Sequence, residues 1–222
     1  MAELILSKLF SLKERVAVVT GGSGVLGGAM AKGLAMAGAQ VVVLGRNEVR
    51  ARAVVAEITA NGGESMAVVA DVSDRSQLEI ARDVIIQRWG EIDILVNMAG
   101  GNIPAATITP DATIFDMPRV AFEEVVSLNL LGTLLPCQVF GQAMVERSQP
   151  HGCIVNISSM SAIRAISRVV GYSAAKAGID NFTRWLAVEL AQKYGDGMRV
   201  NADRTRFFSW RTKSRFTLKF RW

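Results

Sequence analysis

Short apolar runs alternate with longer stretches of mixed polarity along most of the chain. Runs that stay apolar at nearly every position indicate strands covered on both faces, as in a parallel sheet. The predicted strands cover residues 16–20, 40–44, 66–72, 92–97, 153–158 and 198–202. The mixed stretches predict helices over residues 25–37, 48–61, 75–89, 119–147 and 172–193. The third helix has Ser73 or Asp74 as its expected N-cap. Regular alternation of strand and helix predicts an α/β fold with a doubly wound parallel sheet (Rossmann fold) in a single domain.

Composition narrows the function classes. A chain of 222 residues, half of them apolar, is long enough for one well-buried core. We expect a cytoplasmic protein without a membrane partner, because we find neither a long uncharged apolar run nor a secretory pattern at the N-terminus. Cys137 and Cys153 lack neighbours at metal-ligand spacing, so we expect inert thiols and no metal. His151 is the single histidine, and a surface turn is its expected place.

A glycine-rich loop follows the first predicted strand. Gly22, Gly24 and Gly27 have GxGxxG spacing, which allows a tight turn, close approach of a pyrophosphate and anion binding at a helix N-terminus. The alternative is a tight turn without a ligand. The expected dinucleotide contacts are Thr20, Gly21, Gly22, Ser23, Gly24, Val25, Leu26 and Gly27.

The end of the second strand bears on the choice between NAD and NADP. Gly45 and Arg46 stand where an acidic residue would bind the ribose hydroxyls of NAD. Arg46, followed by Asn47, could instead pair with the 2'-phosphate of NADP. A solvated arginine is the alternative, so the sequence favours NADP and leaves NAD open.

Tyr172 and Lys176 are four residues apart and share one face of a predicted helix. A tyrosine titrates near pH 10, too high for a base at neutral pH. An ammonium about 4 Å away would stabilise the phenolate by up to about 4 kcal/mol, or about 3 pKa units, at an effective dielectric constant near 20. A chance pair with this spacing is expected in about one of sixteen such chains, so the pair alone decides nothing.

Several further motifs occur in a fixed order, and together they resemble the short-chain dehydrogenase/reductase family. Ser159 precedes Tyr172 by thirteen residues, which is the spacing of that family. The resemblance covers about residues 10–202 and includes the glycine loop, Asp71-Val72, "NMAG" (97–100), Asn129, Ser159, Tyr172 and Lys176. "LGRN", "NMAGGN", "NISSM" and "NFTRWLAVELA" are most similar to the sugar-acid branch, of the D-mannonate oxidoreductase (fructuronate reductase) type, with gluconate dehydrogenases nearby.

The resemblance implies a role for each matched residue. Tyr172 would exchange a proton with the substrate, Lys176 would lower the tyrosine pKa and hold the ribose, and Ser159 would bind the carbonyl or hydroxyl. Asn129 would hold a water in a proton relay. Asp71 and Val72 would flank the adenine, and Asn97, Ala99 and Gly100 would lie on the ribose side. The resemblance also implies hydride transfer with NAD or NADP, a small-molecule substrate, no metal, no nucleic acid, and a homo-oligomer formed through the two long helices.

Two departures from the family pattern lie within the matched region. The usual pattern places glycine at position 25, where this chain has Val25, which leaves the path of the loop uncertain by one residue. The stretch 101–118 is longer than usual. It could be a lid over the substrate or a disordered insertion, and the sequence does not decide between them.

The last twenty residues differ from the rest. Residues 203–222 carry seven basic side chains and one acidic one, whereas the remaining chain carries 18 and 19. The resemblance implies Pro-Gly shortly after Ala202, then a lid and a seventh strand, all of which we expect to be lacking. Loss of one base at codon 203 would restore Ile-Ala-Pro-Gly with permitted codons. We therefore interpret residues 1–202 as an incomplete dehydrogenase domain and 203–222 as a frameshifted tail. The alternatives are a truncated, inactive product that retains dinucleotide binding, and a basic tail that binds nucleic acid or an anionic membrane.

Overall fold

Six parallel strands form a single sheet in the computed structural model, which describes residues 9–205. The strands are β1 (Val16–Thr20), β2 (Gln40–Gly45), β3 (Ser65–Val69), β4 (Ile94–Asn97), β5 (Gly152–Ser159) and β6 (Met198–Thr205). Their order across the sheet is β3-β2-β1-β4-β5-β6. The order reverses between β1 and β4, and this is where doubly wound sheets bind ligands. The predicted fold class is confirmed.

The helices cover both faces of the sheet. They are α1 (Val25–Met36), α2 (Glu48–Ala60), α3 (Arg75–Trp89), α4 (Arg119–Val126), α5 (Gly132–Val145) and α6 (Val170–Tyr194). Short 3₁₀ helices occupy Pro104–Ala106, Ile114–Asp116, Met160–Ala162 and Gly195–Gly197. Alternate strand residues enter different cores: Val16 and Val18 belong to one buried cluster, Ala17 and Val19 to the other. This two-sided burial explains why the strands are apolar at every position.

The predicted helix over 119–147 contains a π turn. A π-helix at Ser127–Leu131 separates α4 from α5. At its centre the Asn129 side chain donates to the Val125 carbonyl (2.8 Å) and to the Gly101 carbonyl (2.8 Å). The predicted helix is confirmed as the continuous helical stretch Arg119–Val145. Its π turn was not predicted, because the bond to a distant loop has no counterpart in the local pattern.

Most predicted strand ends lie within two residues of those observed, but two strands, β3 and β6, end three residues away from the prediction. β3 stops at Val69 because its one sheet neighbour, β2, ends opposite it at Gly45. The chain beyond therefore leaves the sheet, although the apolar run continues to Val72. β6 does not stop at Ala202 but pairs with β5 as far as Thr205. The start of the predicted foreign tail thus continues the sheet. Its frameshift origin stays a hypothesis, and residues 206–222 lie outside the described part of the chain.

The stretch Arg119–Val145 is long and apolar enough to cross a membrane by length and composition, so the expectation that the chain has no long uncharged apolar run was wrong. In this fold Val125, Val139 and Phe140 on that stretch are fully buried within the protein. Core helices of soluble proteins pass the same test, so this is weak evidence for a membrane span.

Candidate active site

A cleft of about 520 Å³ opens at the carboxyl ends of the central strands. The loops after β1, β2, β3 and β4 contribute to its walls, as expected for a doubly wound sheet. Its lining residues are Gly21, Ser23, Gly24, Val25, Leu26, Gly27, Gly45, Arg46, Asn47, Arg50, Ala70, Asp71, Val72, Met98, Ala99, Gly100 and Leu128. Most of the predicted cofactor residues are therefore brought together.

The glycine loop presents bare backbone to this cleft. A Cβ at Gly27 would lie 2.2 Å from the Gly21 carbonyl oxygen, so a side chain has no room there. Gly24 precedes α1 without a side-chain cap. Among residues 9–205, the amides of Val25, Leu26 and Gly27 have no hydrogen-bond partner. Unpaired amides at a helix N-terminus fit the phosphates of a dinucleotide.

Position 25 imposes no need for glycine. The Val25 side chain is 77% exposed at the start of α1, and its backbone does not adopt a positive φ. The positive φ of the loop falls on Gly21 instead, at 63°. The departure from the family pattern at this position is therefore compatible with the same loop function.

Five predicted cofactor residues do not line the cleft. Tyr172 and Lys176 lie on α6 with the predicted catalytic residues, and Thr20, Gly22 and Asn97 lie beneath the cleft. The Thr20 hydroxyl is fully buried and accepts from the amides of Met98 and Ala99, both at 3.2 Å. Gly22 packs against β1 and β2, and a Cβ there would lie 2.8 Å from the Val19 carbonyl oxygen. Thr20 and Gly22 therefore shape the loops, and direct contact of either with a cofactor stays a prediction.

Asn97 is the third of these residues. Its side-chain amide donates to Asn156 Oδ1 (2.9 Å) and to Cys137 Sγ (3.1 Å). Asn156 in turn donates to the Thr183 hydroxyl of α6 at 3.0 Å. Burial raises the pKa of Cys137 to about 12, as expected of an inert thiol. This buried network joins β4, β5 and two helices under the cleft.

The end of the cleft where the sequence predicts the adenosine of the cofactor carries two arginines. Arg46 is 71% exposed and lies 3.5 Å from Asp71 Oδ2. Asn47 caps α2 through the Arg50 amide at 2.9 Å, and this turn brings Arg50 to the cleft. Burial favours a higher pKa for Asp71, but bonds from Ser73 and the charge of Arg46 outweigh it and lower that pKa.

The sequence reasoning did not identify Arg50, Ala70, Met98 and Leu128 as cleft residues. For Arg50 a signal existed, because the first turn of a helix capped by Asn47 faces the same loops as the cap. Leu128 lies on the π-helix, whose path could not be predicted from the local pattern.

Tyr172 and Lys176 lie on α6, with the Lys176 Nζ 5.6 Å from the centroid of the Tyr172 ring. Lys176 is buried and donates to the Ile157 carbonyl at 2.7 Å. Burial lowers the pKa of Lys176 to about 8, against the opposing charge of Asp180. Burial raises the pKa of Tyr172, and the Ser159 hydroxyl only partly offsets this. The expected lowering of the tyrosine pKa by Lys176 is therefore not observed, because burial has the larger effect.

Ser159 and Asn129 approach the same place from β5 and the π-helix. Ser159 is almost fully buried and its hydroxyl accepts from the Ser161 amide at 3.1 Å. A Cβ at Gly100 would lie 2.6 Å from Asn129 Oδ1 and 3.7 Å from Lys176 Nζ. Gly100, at the end of the cofactor cleft, thus lies between two predicted catalytic residues.

The Asn129 side chain has a structural role of its own. Its Oδ1 accepts from the Gly101 amide at 3.0 Å, while its Nδ2 donates to the carbonyls of Gly101 and Val125. The Asn129 carbonyl accepts from the Thr133 hydroxyl at 2.9 Å. The bond to Val125 is that of an amide that distorts the helix, and the water relay stays a prediction.

The long segment 101–118 is ordered against the predicted catalytic residues. Ala106 is fully buried and forms a small cluster with Ala121 and Val125, against which Tyr172 packs. Ile108 exchanges two bonds with Arg168, from its amide to the Arg168 carbonyl (2.9 Å) and from Arg168 Nε to its carbonyl (2.7 Å). A disordered insertion is therefore the wrong alternative, and a lid function stays a prediction.

A second polar cluster lies at the opposite, amino ends of the strands. Ligand atoms of Glu91, Asp93 and His151 lie within 4.8 Å of one another. Arg147 Nη1 is 3.2 Å from Glu91, 3.3 Å from Asp93 and 2.6 Å from His151 Nε2. A guanidinium among these groups makes an ion-pair network. His151 is thus a half-buried member of this network rather than a simple surface turn residue.

Comparisons with known proteins agree with this geometry. The family model described as short chain dehydrogenase matches residues 15–208. An uncharacterized oxidoreductase, UxuB, from Bacillus subtilis (strain 168) is 45% identical over 206 residues, which covers 89% of this chain and 72% of that protein.

Solved structures of similar shape contain nicotinamide dinucleotides. A proposed D-mannonate oxidoreductase from Haemophilus influenza with bound NAD has a TM-score of 0.84 and 35% identity, and the match covers 93% of this chain and 75% of that one. A gluconate 5-dehydrogenase from Burkholderia cenocepacia J2315, in complex with NADP and tartrate, has a TM-score of 0.79 and 29% identity. That match covers 92% of this chain and 75% of the other.

Proposed function

The chain belongs to the short chain dehydrogenase family, and from that premise we propose that it interconverts a secondary alcohol and a ketone on a sugar acid. Family membership makes it an NAD(P)-dependent dehydrogenase or reductase. The single observation that carries the reaction is the meeting of Ser159, Tyr172 and Lys176 beside Gly100, at the end of the dinucleotide cleft. A bound nicotinamide dinucleotide would supply or accept the hydride.

The residues of the cleft would hold the dinucleotide as follows. The free amides of Val25, Leu26 and Gly27 would bind its phosphates. At the adenosine end we propose a preference for NADP, because Arg46 and Arg50 line the cleft and position 45 is glycine. Two guanidinium groups suit a 2'-phosphate. The Arg46–Asp71 contact would have to open for Arg46 to serve in this way.

Proton transfer would use the tyrosine. Since burial raises the pKa of Tyr172, its hydroxyl is protonated at neutral pH and is ready to donate a proton during reduction of a ketone. The Lys176 ammonium would stabilise the phenolate that remains, and Ser159 would bind the substrate oxygen. The pKa of about 8 for Lys176 means that this stabilising charge is largely present below pH 8. We therefore propose that reduction is favoured at neutral pH and that oxidation needs a higher pH.

The substrate class rests on the relatives. The proposed D-mannonate oxidoreductase and the gluconate 5-dehydrogenase suggest a sugar acid such as mannonate, fructuronate or gluconate. We propose the same for this chain, as a cytoplasmic enzyme of small molecules. Exposed apolar side chains on the two long helical segments, Leu131, Trp185 and Val188, support the further proposal of a homo-oligomer.

The Tyr172→Phe variant tests the function. We expect turnover of fructuronate with NADPH to fall by about 10²- to 10⁴-fold, while dinucleotide binding, followed by nicotinamide fluorescence, is unchanged. Tyr194→Phe is the matched control, because Tyr194 is the other tyrosine of the chain and ends the same helix. Equal loss in both variants would contradict the role of Tyr172. Tight dinucleotide binding by the parent protein without turnover of any sugar acid would favour an inactive, truncated product.

A further inference from the structure

A buried carboxylate stands one helical turn beyond Lys176. Asp180 follows Lys176 by four residues on α6, so the two side chains share a face of the helix. Lys176 and Asp180 are only 4% and 6% exposed. Asp180 Oδ1 is buried and has no hydrogen-bond partner within residues 9–205. A buried carboxylate in such a position requires a compensating charge.

That charge comes from Arg204. Its Nε donates to Asp180 Oδ2 at 2.9 Å, and its Nη2 lies 2.8 Å from the same oxygen. Both contacts therefore fall on one carboxylate oxygen. The other oxygen keeps part of the negative charge in the interior, where charges are weakly screened. Arg204 itself is 42% exposed and closes the pair towards solvent.

Arg204 reaches this position because β6 is longer than predicted. The register of β6 on β5 places Arg204 opposite Ser158. The Ser158 hydroxyl in turn donates to the Lys176 carbonyl at 3.4 Å. The edge strand β6 thus places the Arg204 guanidinium against α6, the helix that carries the predicted catalytic lysine.

Few charged groups compete at Lys176. Its own helix supplies Tyr172 and Asp180, and β6 supplies Arg204 through Asp180. β5, the π-helix and the loop after β4 face it with uncharged groups, the Ile157 carbonyl, the Asn129 amide and Gly100. On α4, which also packs against α6, Glu123 and Glu124 are exposed, and Glu123 pairs with Arg119.

We propose that Arg204 is a positioning residue for Lys176: by binding Asp180 it holds that carboxylate away from the lysine and sets the electrostatic field at the ammonium group. Lys176 then stays bonded to the Ile157 carbonyl and close to Tyr172. Without Arg204, the uncompensated carboxylate acts more strongly on Lys176, the cation one turn before it on the same helix. The role in turnover rests on the proposed function, whereas the effect on Lys176 itself does not.

The test is the protonation midpoint of Lys176, measured without substrate or cofactor. The full chain has seven lysines, so a sample labelled with ¹³C at the lysine Cε gives a small set of NMR signals. The Lys176→Arg variant identifies the signal of interest. We expect Arg204→Met to raise the pKa of Lys176 by about one unit, because Asp180 raises it and is no longer neutralised. Asp180→Asn should lower it.

The double variant Asp180→Asn/Arg204→Met separates an effect through Asp180 from a direct one. We expect its midpoint to equal that of Asp180→Asn alone. Arg204→Lys, which keeps the charge, should stay near the parent and covers the case in which Arg204→Met fails to fold. Arg199→Met is the matched control, because Arg199 is exposed on the same strand, and it should leave the midpoint unchanged.

The outcomes separate this inference from the proposed function. The inference is overturned if Lys176 has the same protonation midpoint in folded Arg204→Met as in the parent protein. It is also overturned if Arg204→Met raises that midpoint by the same amount when Asp180 is already asparagine. If the protonation midpoints follow the expected order but the protein shows no turnover, the electrostatic role of Arg204 stands and the proposed oxidoreductase function is rejected. If the protein is active, Arg204→Met should shift the alkaline limb of the pH profile of kcat to higher pH. A merely structural contact would not produce this shift.

Discussion

Replacing Asp93 with asparagine should destabilise the protein strongly, although Asp93 lies at the end of the sheet opposite the cleft. Its Oδ2 accepts from the Val16 amide at 2.8 Å and its Oδ1 from Arg15 at 2.9 Å. Arg147 and His151 approach the same Oδ1 at 3.3 and 3.2 Å. The Asp93→Asn change keeps the shape and removes the charge that these groups share.

The size of the effect follows from the burial of the partners. Asp93 is 5% exposed and the Arg147 side chain 10%, so this ion pair is largely buried. Removing one partner of a buried pair costs about 3–5 kcal/mol. Arg15 is half exposed and regains water, which places the expected loss at the lower end, about 3 kcal/mol. In a chain of this length that lowers Tm by about 6–12 °C.

The assay is urea denaturation at pH 7 and at progressively lower pH, for the parent and for Asp93→Asn. Burial alone would raise the pKa of Asp93, but the bonds from Val16, Arg15 and Arg147 prevail and lower it. A lowered folded-state pKa stabilises the protein above the unfolded value near 3.9, and that contribution is lost as pH falls through the folded pKa. The difference in free energy of unfolding between the parent and Asp93→Asn should therefore become smaller below about pH 4.

Asp83→Asn is the matched control, because Asp83 is exposed and pairs with its sequence neighbour Arg82. We expect it to change the free energy of unfolding by less than about 0.5 kcal/mol. A gap for Asp93→Asn within that same limit at pH 7, or one that does not depend on pH, would refute the reasoning.

Two further predictions concern the cofactor cleft. Gly27→Ala should weaken dinucleotide binding at least about 10-fold in a fluorescence titration, because its Cβ would overlap the Gly21 carbonyl. The control is Gly33→Ala on the same helix, whose Cβ meets no atom; it should leave the affinity unchanged and add about 0.5–1 kcal/mol to the free energy of unfolding. Equal weakening of binding in both variants would contradict the steric argument. Arg46→Gln should lower the affinity for NADP relative to NAD by about 10-fold, or about 1.4 kcal/mol, and an unchanged ratio would reject the proposed NADP preference.

Local signals predicted the elements that depend on local chemistry. The helix over 75–89 is observed with the predicted bounds, because the Asp74 carboxylate caps it through the amides of Ser76 (3.0 Å) and Gln77 (3.2 Å). The motifs likewise placed Tyr172 and Lys176 on one helix and Gly27 at the foot of another.

Features that depend on distant contacts could not be predicted. The π-helix follows from the bond of Asn129 to Gly101, and the end of β3 follows from the end of β2. The Asp180–Arg204 pair requires the register of β6 on β5. The raised pKa of Tyr172 depends on how much of its ring the whole fold buries, and no single sequence motif determines that burial.

The π-helix at Ser127–Leu131 has a consequence for how this chain can change in evolution. Its wider turn holds one more residue than an α-helical turn would, so losing a single codon there would convert the segment to a plain α-helix. Because the π turn absorbs the extra residue, the helix on either side of it keeps its orientation when that residue is lost. Val139 and Phe140, both fully buried, would stay packed on the sheet, whereas loss of a residue elsewhere in the helix would rotate them by about 100° around the helix axis. In alignments of functional relatives, a one-residue gap within Arg119–Val145 should therefore fall between residues 127 and 131.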